Sequence, residues 1–289
     1  MIDLRPYQQR CVDAVANGWK QFRRQLGVAP TGAGKTILFS HIAQSELPGK
    51  TLIIAHREEL IDQAIVKLHK STGIFAQKEK AESSASLTAD VVVASIQSLA
   101  RRLGQWSSDH FGLVVIDEAH HATADSYKGV LRHFDQHAKI LGVTATPDRA
   151  DRKNLGTYFE NVAFEIPLFE LIHEGFLAPI KVKAVPLQID LENVRKTAGD
   201  FNETDLDAAI RPYLQATARA IAEHALFRKT LVFTPLVATS KDFVAECQAQ
   251  GLSAAHVDGN SPDRKEVLAR FAAGEFDILS NAMLLTEGY

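Results

Sequence analysis

The sequence predicts an α/β protein built on parallel sheets. Short apolar runs alternate with amphipathic helical patterns, which is typical of parallel strands joined by crossover helices. The 289 residues are 46% hydrophobic and 23% charged, which is an ordinary globular composition and enough chain for about two domains. Intrinsic disorder is therefore excluded as the main state of the chain.

Five apolar runs predict buried strands in the first half of the chain. They are Leu26–Ala29, Thr51–Ala55, Val91–Ala94, Leu113–Asp117 and Ile140–Val143. After the second run, apolar residues recur at the spacing of one helical face, which predicts a helix that contains Leu60, Ile61, Ala64, Ile65 and Leu68.

A second set of apolar runs predicts another parallel sheet, with strands at Thr230–Thr234, Ser253–Val257 and Asp277–Ser280. Ser261-Pro262 is typical of a helix start, with serine as the N-cap and proline in the first turn. The stretch that begins at Pro167 is rich in proline and glycine and has weak periodicity, so we interpret it as a connection. The predicted domain limits are 1–166, 167–215 for the connection, and 216–289.

The net charge of -3 argues against a protein that coats nucleic acid by bulk charge, although a local groove of phosphate contacts stays compatible with it.

Cys11 and Cys247 lie far apart in the chain, and two such isolated thiols suit a reducing compartment. The residues after Met1 contain no apolar signal segment, and no run approaches the roughly 18 apolar residues of a membrane span. We therefore expect a soluble cytoplasmic protein without a membrane partner. Its oligomeric state is unknown, with a monomer as the default.

A glycine-rich turn between a predicted strand and a predicted helix carries the strongest chemical signal. Backbone N–H groups of such a turn form a nest for phosphate oxygens, and the following helix adds the positive end of its dipole. Lys35 would reach the β- and γ-phosphates and Thr36 would hold Mg²⁺. The expected ATP-binding residues of this P-loop are Ala29, Pro30, Thr31, Gly32, Ala33, Gly34, Lys35 and Thr36. Ala29 stands where the strict pattern has glycine, and a plain glycine-rich turn is the alternative interpretation.

Two carboxylates end the apolar strand Leu113–Asp117. Open α/β sheets place ligands at the carboxyl ends of their strands. Asp117 would bind Mg²⁺, and Glu118 would orient and deprotonate an attacking water, as a P-loop hydrolase requires. A strand followed by two acids is by itself common and usually a solvated turn, but in combination with the P-loop it favours a catalytic site.

In order along the chain, these motifs resemble the DEAD/DEAH-box helicases of superfamily 2, and in particular bacterial or phage DNA repair and restriction-type members. Asp117-Glu118-Ala119-His120 spells the DEAH box. The segment Leu4–Gln8 is similar to the adenine-recognition element and Thr144–Pro147 to motif III. Further segments are similar to motifs Ia, Ib, IV and V, namely 55–60, 94–99, 231–235 and 285–288.

The resemblance covers essentially the whole chain and implies tandem RecA-like P-loop domains with ATP and Mg²⁺ as cofactors. It adds Arg5 and Gln8 to the ATP site and assigns coupling between nucleotide and movement to His120, Thr144 and Thr146. The implied nucleic-acid contacts are His56, Arg57, Ser95, Gln97, Ser98 and Thr286. The chain ends within motif V, so we expect an incomplete second domain, slow ATP hydrolysis by this chain alone, and an unpaired sheet edge after Asp277–Ser280.

The function implied is that of an ATP-dependent helicase or translocase, which couples ATP hydrolysis to unwinding of, or movement on, nucleic acid. DNA is favoured over RNA because the Leu4–Gln8 opening and the Thr286-Glu287-Gly288 ending look like those of the DNA-acting members. Three alternatives stay open: an RNA helicase, a nucleotide-gated clamp that binds nucleic acid without unwinding it, and an unrelated P-loop ATPase. The ordered motifs argue against the last of these.

Overall fold

The computed structural model describes residues 2–55, 58–81, 83–145, 155–197 and 200–282. The chain divides into two compact units, Met1–Ile180 and Lys181–Tyr289. Within the described ranges, no helix combines the length and the apolar character needed to cross a membrane. The predicted limits of 1–166, 167–215 and 216–289 stay a prediction.

In the described part of the first unit, seven strands form one sheet. In chain order they are β1 (Arg24–Val28), β2 (Thr51–Ala55), β3 (Ala76–Glu79), β4 (Val91–Ser95), β5 (Leu113–Asp117), β6 (Lys139–Thr144) and β7 (Asn161–Glu165). Their order in the sheet is β3-β4-β2-β5-β6-β1-β7. Every neighbouring pair is parallel, so the carboxyl ends of all these strands meet at one edge.

Helices cover both faces of this sheet. They are α1 (Pro6–Gly18), α2 (Lys35–Ser45), α3 (Glu58–Thr72), α4 (Ile96–Arg101), α5 (Asp125–Phe134) and α6 (Leu168–His173). Successive strand residues belong to opposite cores: Ile53 packs with residues of α1 to α3, whereas Leu52 and Ile54 pack with residues of α4 and α5. This double burial explains why β2 and β4 are continuous apolar runs.

The second unit has a smaller sheet. Its elements are β8 (Lys196–Thr197), β9 (Asp200–Phe201), α7 (Glu203–Ile210), α8 (Leu214–His224), β10 (Thr230–Thr234), α9 (Val237–Ala249), β11 (Ala254–Val257), α10 (Arg264–Ala273) and β12 (Ile278–Ala282). In the described residues, β10, β12 and β11 form a parallel sheet in that order. The short strands β8 and β9 pair antiparallel.

The predicted α/β class with parallel sheets is confirmed, and all the predicted strands are present with small shifts at their ends. No apolar run in the sequence predicts β3 and β7. They are the two outer strands of the described first sheet, and both contain exposed positions. An outer strand is covered less completely than a central one, so its sequence lacks the continuous apolar run that marks the others.

Two predictions about the second unit are wrong. The strand after Asp277 is not an edge, because β12 lies between β10 and β11, with Ile278 opposite Thr230 on one side and Ala254 on the other. The central position buries four of the five residues of β12. The last helix begins at Arg264 rather than at Ser261-Pro262. The Ser261 hydroxyl accepts a hydrogen bond from the Asp258 N–H (3.0 Å), so it closes the preceding turn instead of capping the helix.

Candidate nucleotide-binding site

The P-loop lies where the sequence predicts it, between the end of β1 and the start of α2. The Ala29 N–H donates to the Thr144 carbonyl (3.0 Å), which extends the strand pairing into the loop. Gly32 and Gly34 have φ of 86° and 79°, a left-handed backbone that glycine adopts without penalty. Gly34 is the N-cap of α2, so Lys35 and Thr36 form its first turn. The first N–H groups of a helix have no partner within it, and a turn of this kind can direct them at phosphate oxygens.

Asp117 is the last residue of β5 and Glu118 follows it, at the same edge of the sheet. The Lys35 ammonium lies 3.4 Å from the Glu118 carboxylate, with only 11% and 13% of these side chains exposed. Glu118 has a left-handed backbone (φ 52°), which is uncommon for a residue with a side chain and is often found at functional sites. This turn ends β5 and begins the short helix Ala119–Thr123. The structure therefore brings together the predicted phosphate-binding lysine and the predicted base.

The charge balance of the site depends on burial. Burial, reinforced by the neighbouring Glu118 carboxylate, raises the pKa of Asp117 to about 6, while the Lys35 ammonium acts in the opposite direction. The Glu118 N–H donates to the Asp117 carboxylate (3.1 Å), which also favours the ionised form. Asp117 is thus a carboxylate that a nearby cation would stabilise.

The donor set fits Mg²⁺. Asp117 supplies a carboxylate oxygen and Thr36 a hydroxyl oxygen, the hard ligands that Mg²⁺ prefers. Over the ranges described, no cluster of three or more His, Cys, Asp or Glu side chains forms a metal site. Mg²⁺ is commonly held by one or two carboxylates together with substrate phosphates, so this sparse set suits a cation that arrives with a nucleotide.

His120 connects the DEAH segment to β6. Its Nδ1 lies 3.6 Å from the Glu118 carboxylate and 3.3 Å from the Thr144 hydroxyl. Thr144 is fully buried at the carboxyl end of β6. His120 thus contacts both the predicted base Glu118 and the predicted coupling residue Thr144, whereas Thr146 lies outside the described residues.

The start of α1 lies against the back of the P-loop. The Gln8 side-chain amide donates to the Ala33 carbonyl (3.1 Å) and its oxygen accepts from the Arg5 N–H (3.0 Å). A Cβ on Gly34 would lie 2.6 Å from Gln8 Nε2, so only glycine allows this approach. Tyr7, which the sequence analysis did not list as a site residue, donates its hydroxyl to the same Ala33 carbonyl (2.8 Å). Tyr7 lies within the Leu4–Gln8 segment, and this position is the signal in the sequence that could have identified it as a site residue.

The predicted nucleic-acid contacts divide into two groups. Ser95 and Ser98 are buried at the junction of β4 and α4, where the Ser95 hydroxyl accepts from the Ser98 N–H (3.2 Å) and the Ser98 hydroxyl from the Ala81 N–H (2.8 Å). Ser95 therefore caps α4, Ser98 ties α4 to the segment after β3, and Gln97 between them is exposed. The remaining candidates lie outside the described residues, namely His56, Arg57 and Thr286. Binding of nucleic acid by this set stays a prediction.

Comparison with known proteins identifies the family of the chain. Residues 1–149 match the family described as type III restriction enzyme, res subunit. A Saccharomyces cerevisiae protein whose name describes it as the ATP-dependent helicase IRC3 is 30% identical over 310 residues, which cover 99% of this chain and 45% of that protein. The chain thus spans less than half the length of that relative.

Two solved structures share the fold. A fragment described as the HsdR subunit of a type I restriction enzyme from Vibrio vulnificus matches with a TM-score of 0.76 at 23% identity, over 97% of this chain and 54% of that one. The helicase domain of Pyrococcus furiosus Hef matches with a TM-score of 0.59 at 18% identity, over 96% and 85%. These matches confirm the predicted RecA-like α/β fold. The chain belongs to the family of the type III restriction enzyme res subunit, among the superfamily 2 helicases that its motifs resemble.

Proposed function

We propose that this chain binds ATP with Mg²⁺ at the P-loop, hydrolyses it, and serves in an ATP-dependent helicase or translocase. The observation that carries the proposal is the 3.4 Å pair of Lys35 and Glu118 beside the loop. It joins the group that would neutralise the phosphates to the group that would activate water. The family match and the helicase relative support the same reaction.

The chemistry follows from the residues of the first unit. The backbone N–H groups of the loop and of the first turn of α2 bind phosphate oxygens, and Lys35 adds a positive charge. Mg²⁺, held by Thr36 and Asp117, would neutralise charge on the β- and γ-phosphates. Lys35 pairs with Glu118 at 3.4 Å, and bound phosphates would compete with Glu118 for the Lys35 ammonium. The Glu118 carboxylate would then be free to orient the attacking water and take its proton.

The contact of His120 with Thr144 supports a coupling role. Because His120 lies near both the Glu118 carboxylate and the Thr144 hydroxyl, a change at Glu118 during hydrolysis alters the contacts at the end of β6. We propose that His120, Thr144 and Thr146 transmit the state of the nucleotide to the rest of the protein in this way.

DNA is the proposed substrate. The residues proposed to contact it are His56, Arg57, Ser95, Gln97, Ser98 and Thr286. The restriction-enzyme description of the matching family supports DNA over RNA. A cytoplasmic location is proposed from the two cysteines, both buried and free.

An ATP-dependent streptavidin-displacement assay tests movement: displacement of streptavidin from biotinylated DNA supports a motor. ATP-dependent retention without displacement would favour the clamp, and selective activity on RNA would favour the RNA helicase.

The ATP site itself is tested by direct binding of ATP·Mg²⁺ to the protein and to its Lys35→Ala variant. The proposal predicts that the parent binds ATP·Mg²⁺ and that the substitution removes most of this affinity. Equal binding by both proteins would contradict the assignment of the P-loop.

A further inference from the structure

A short segment after α6 lies against the nucleotide site, although none of the motifs contains it. Helix α6 ends at His173, and Gly175 has a left-handed backbone (φ 76°). The Gly175 N–H donates to the Ile172 carbonyl (3.1 Å) and the Phe176 N–H to the Leu171 carbonyl (2.8 Å). This pair of bonds is the Schellman motif that commonly ends helices, and it fixes the position of the next residues.

Phe176 contacts the start of α1. Its ring centroid lies 5.0 Å from that of Tyr7, and the Arg5 guanidinium lies 5.2 Å from the Phe176 centroid, above the ring. Tyr7 in turn donates to the carbonyl of Ala33 in the P-loop. Phe176 is thus joined through one buried side chain to the phosphate loop. An arginine that stacks on an aromatic ring keeps its in-plane donors available to a ligand.

Leu177 contacts the P-loop directly. Its Cδ2 lies 2.9 Å from the position that a Cβ on Gly32 would occupy. Both Phe176 and Leu177 are only partly buried and pack against the core cluster that contains Tyr7 and Ala33. Two neighbouring side chains therefore support two different parts of the site, the Arg5–Gln8 element and the phosphate loop.

We propose that Phe176 and Leu177 are positioning residues for a purine nucleoside triphosphate. Phe176 holds the Arg5 guanidinium and the start of α1 in the orientation that serves base recognition, and Leu177 holds the loop at Gly32 in the orientation that serves phosphate binding. This inference rests on the proposed ATP site and adds a division of labour between base and phosphate. The alternative is a purely structural role, in which Phe176 only supplies the apolar contact that usually accompanies a Schellman motif.

The test compares ligands with and without a base. Equilibrium binding of ATP, GTP and tripolyphosphate, each with Mg²⁺, is measured on the 289-residue chain. Phe176→Leu keeps an apolar side chain and removes the aromatic face, so we expect ATP affinity to fall about three- to tenfold, a size set by the lost cation–π contact. The preference for ATP over GTP narrows, tripolyphosphate affinity is unchanged, and Phe176→Tyr restores the original values.

Leu177→Ala is expected to lower the affinities for ATP and for tripolyphosphate by the same factor, because Leu177 contacts the phosphate loop at Gly32. Phe169→Ala is the matched control: Phe169 lies on α6 with 76% of its surface exposed, and we expect no change in any affinity. Thermal unfolding midpoints measured in parallel report a purely structural effect.

Several outcomes would overturn the inference. Phe176→Leu could lower the unfolding midpoint and leave all three affinities unchanged, or it could weaken ATP and tripolyphosphate equally. Either result would reduce Phe176 to a helix-end contact. Failure of the proposed function itself is distinguishable, because the unaltered protein would then bind none of the ligands or would bind them as well after Lys35→Ala.

Discussion

The ammonium group of Lys35 lies 3.4 Å from the carboxylate of Glu118, in a site where both side chains are largely buried. The pair joins the first turn of α2 to the residue after β5, although the two residues are far apart in the sequence. A lysine paired with a carboxylate in this way is neutralised until an anion of higher charge arrives. The pair links the proposed phosphate-binding group to the proposed base, and a substitution at either residue tests this assignment.

Lys35→Ala should remove most of the ATP affinity, a loss of at least about tenfold, because the ammonium is the main side-chain charge opposite the phosphates. Isothermal titration calorimetry with ATP·Mg²⁺ measures the effect. Lys78→Ala is the control, since Lys78 pairs with Asp62 on the surface (2.6 Å) and should leave ATP affinity unchanged. Equal affinities for the Lys35 variant and the parent would remove Lys35 from the site.

Gln8→Ala should relax the preference for ATP over GTP, because Gln8 belongs to the proposed base-recognition element. The structure adds a second expectation: the Gln8 amide donates to the Ala33 carbonyl (3.1 Å), so its removal also loosens the P-loop and lowers affinity for both nucleotides. Competition binding with the two nucleotides separates these effects. An unchanged ratio of ATP to GTP affinity would limit Gln8 to support of the loop.

Asp117→Asn should stabilise the protein against unfolding in a pH-dependent way. Burial raises the pKa of Asp117 from its usual 3.8 to about 6, so between these values the unfolded chain has lost a proton that the folded chain keeps. Stability is therefore lost as the pH rises through this window and levels off above it. The asparagine variant avoids the loss and should be more stable at pH 7 by on the order of 3 kcal/mol, with little difference near pH 4.

Urea unfolding of both proteins across this pH range measures the difference. The same variant should bind ATP less well with Mg²⁺, which would separate the structural cost of Asp117 from its proposed use. A stability difference that stays constant from acid to neutral pH would show that Asp117 does not titrate as proposed.

Nucleic-acid binding should depend only weakly on salt. A chain of net charge -3 is expected to neutralise few phosphates. Each phosphate contact contributes about one unit to the slope of log affinity against log salt concentration. Arg57→Ala should weaken binding to all sequences by the same factor, because a phosphate contact carries no sequence information. Fluorescence anisotropy with several DNA duplexes tests both statements. A steep slope, or the loss of a base preference in the variant, would contradict the phosphate-only assignment.

The central strands and the P-loop were predictable from sequence because their signals are local. A strand buried on both faces must be continuously apolar, as Thr51–Ala55 is. The glycines of the loop are required by backbone geometry that the sequence states directly, as at Gly34 with its φ of 79°. The position of Lys35 follows from its place at the start of α2, and that of Glu118 from its place directly after β5.

Other features depend on packing between distant segments, and no local pattern encodes them. The ring of Phe176 meets Tyr7 only after the parallel sheet has brought the ends of the first unit together. Likewise, the central place of β12 is decided by crossover topology, which the apolar run at Asp277–Ser280 does not specify.

The most direct test of the account is phosphate release from ATP·Mg²⁺ in a single turnover, with the parent protein and Glu118→Gln, each with and without duplex DNA. Glutamine keeps the shape of the side chain and cannot accept a proton, so we expect ATP binding close to that of the parent and hydrolysis slowed by at least about 10²-fold. Hydrolysis by Glu118→Gln at the rate of the parent would contradict the account, because Glu118 would then not be the base.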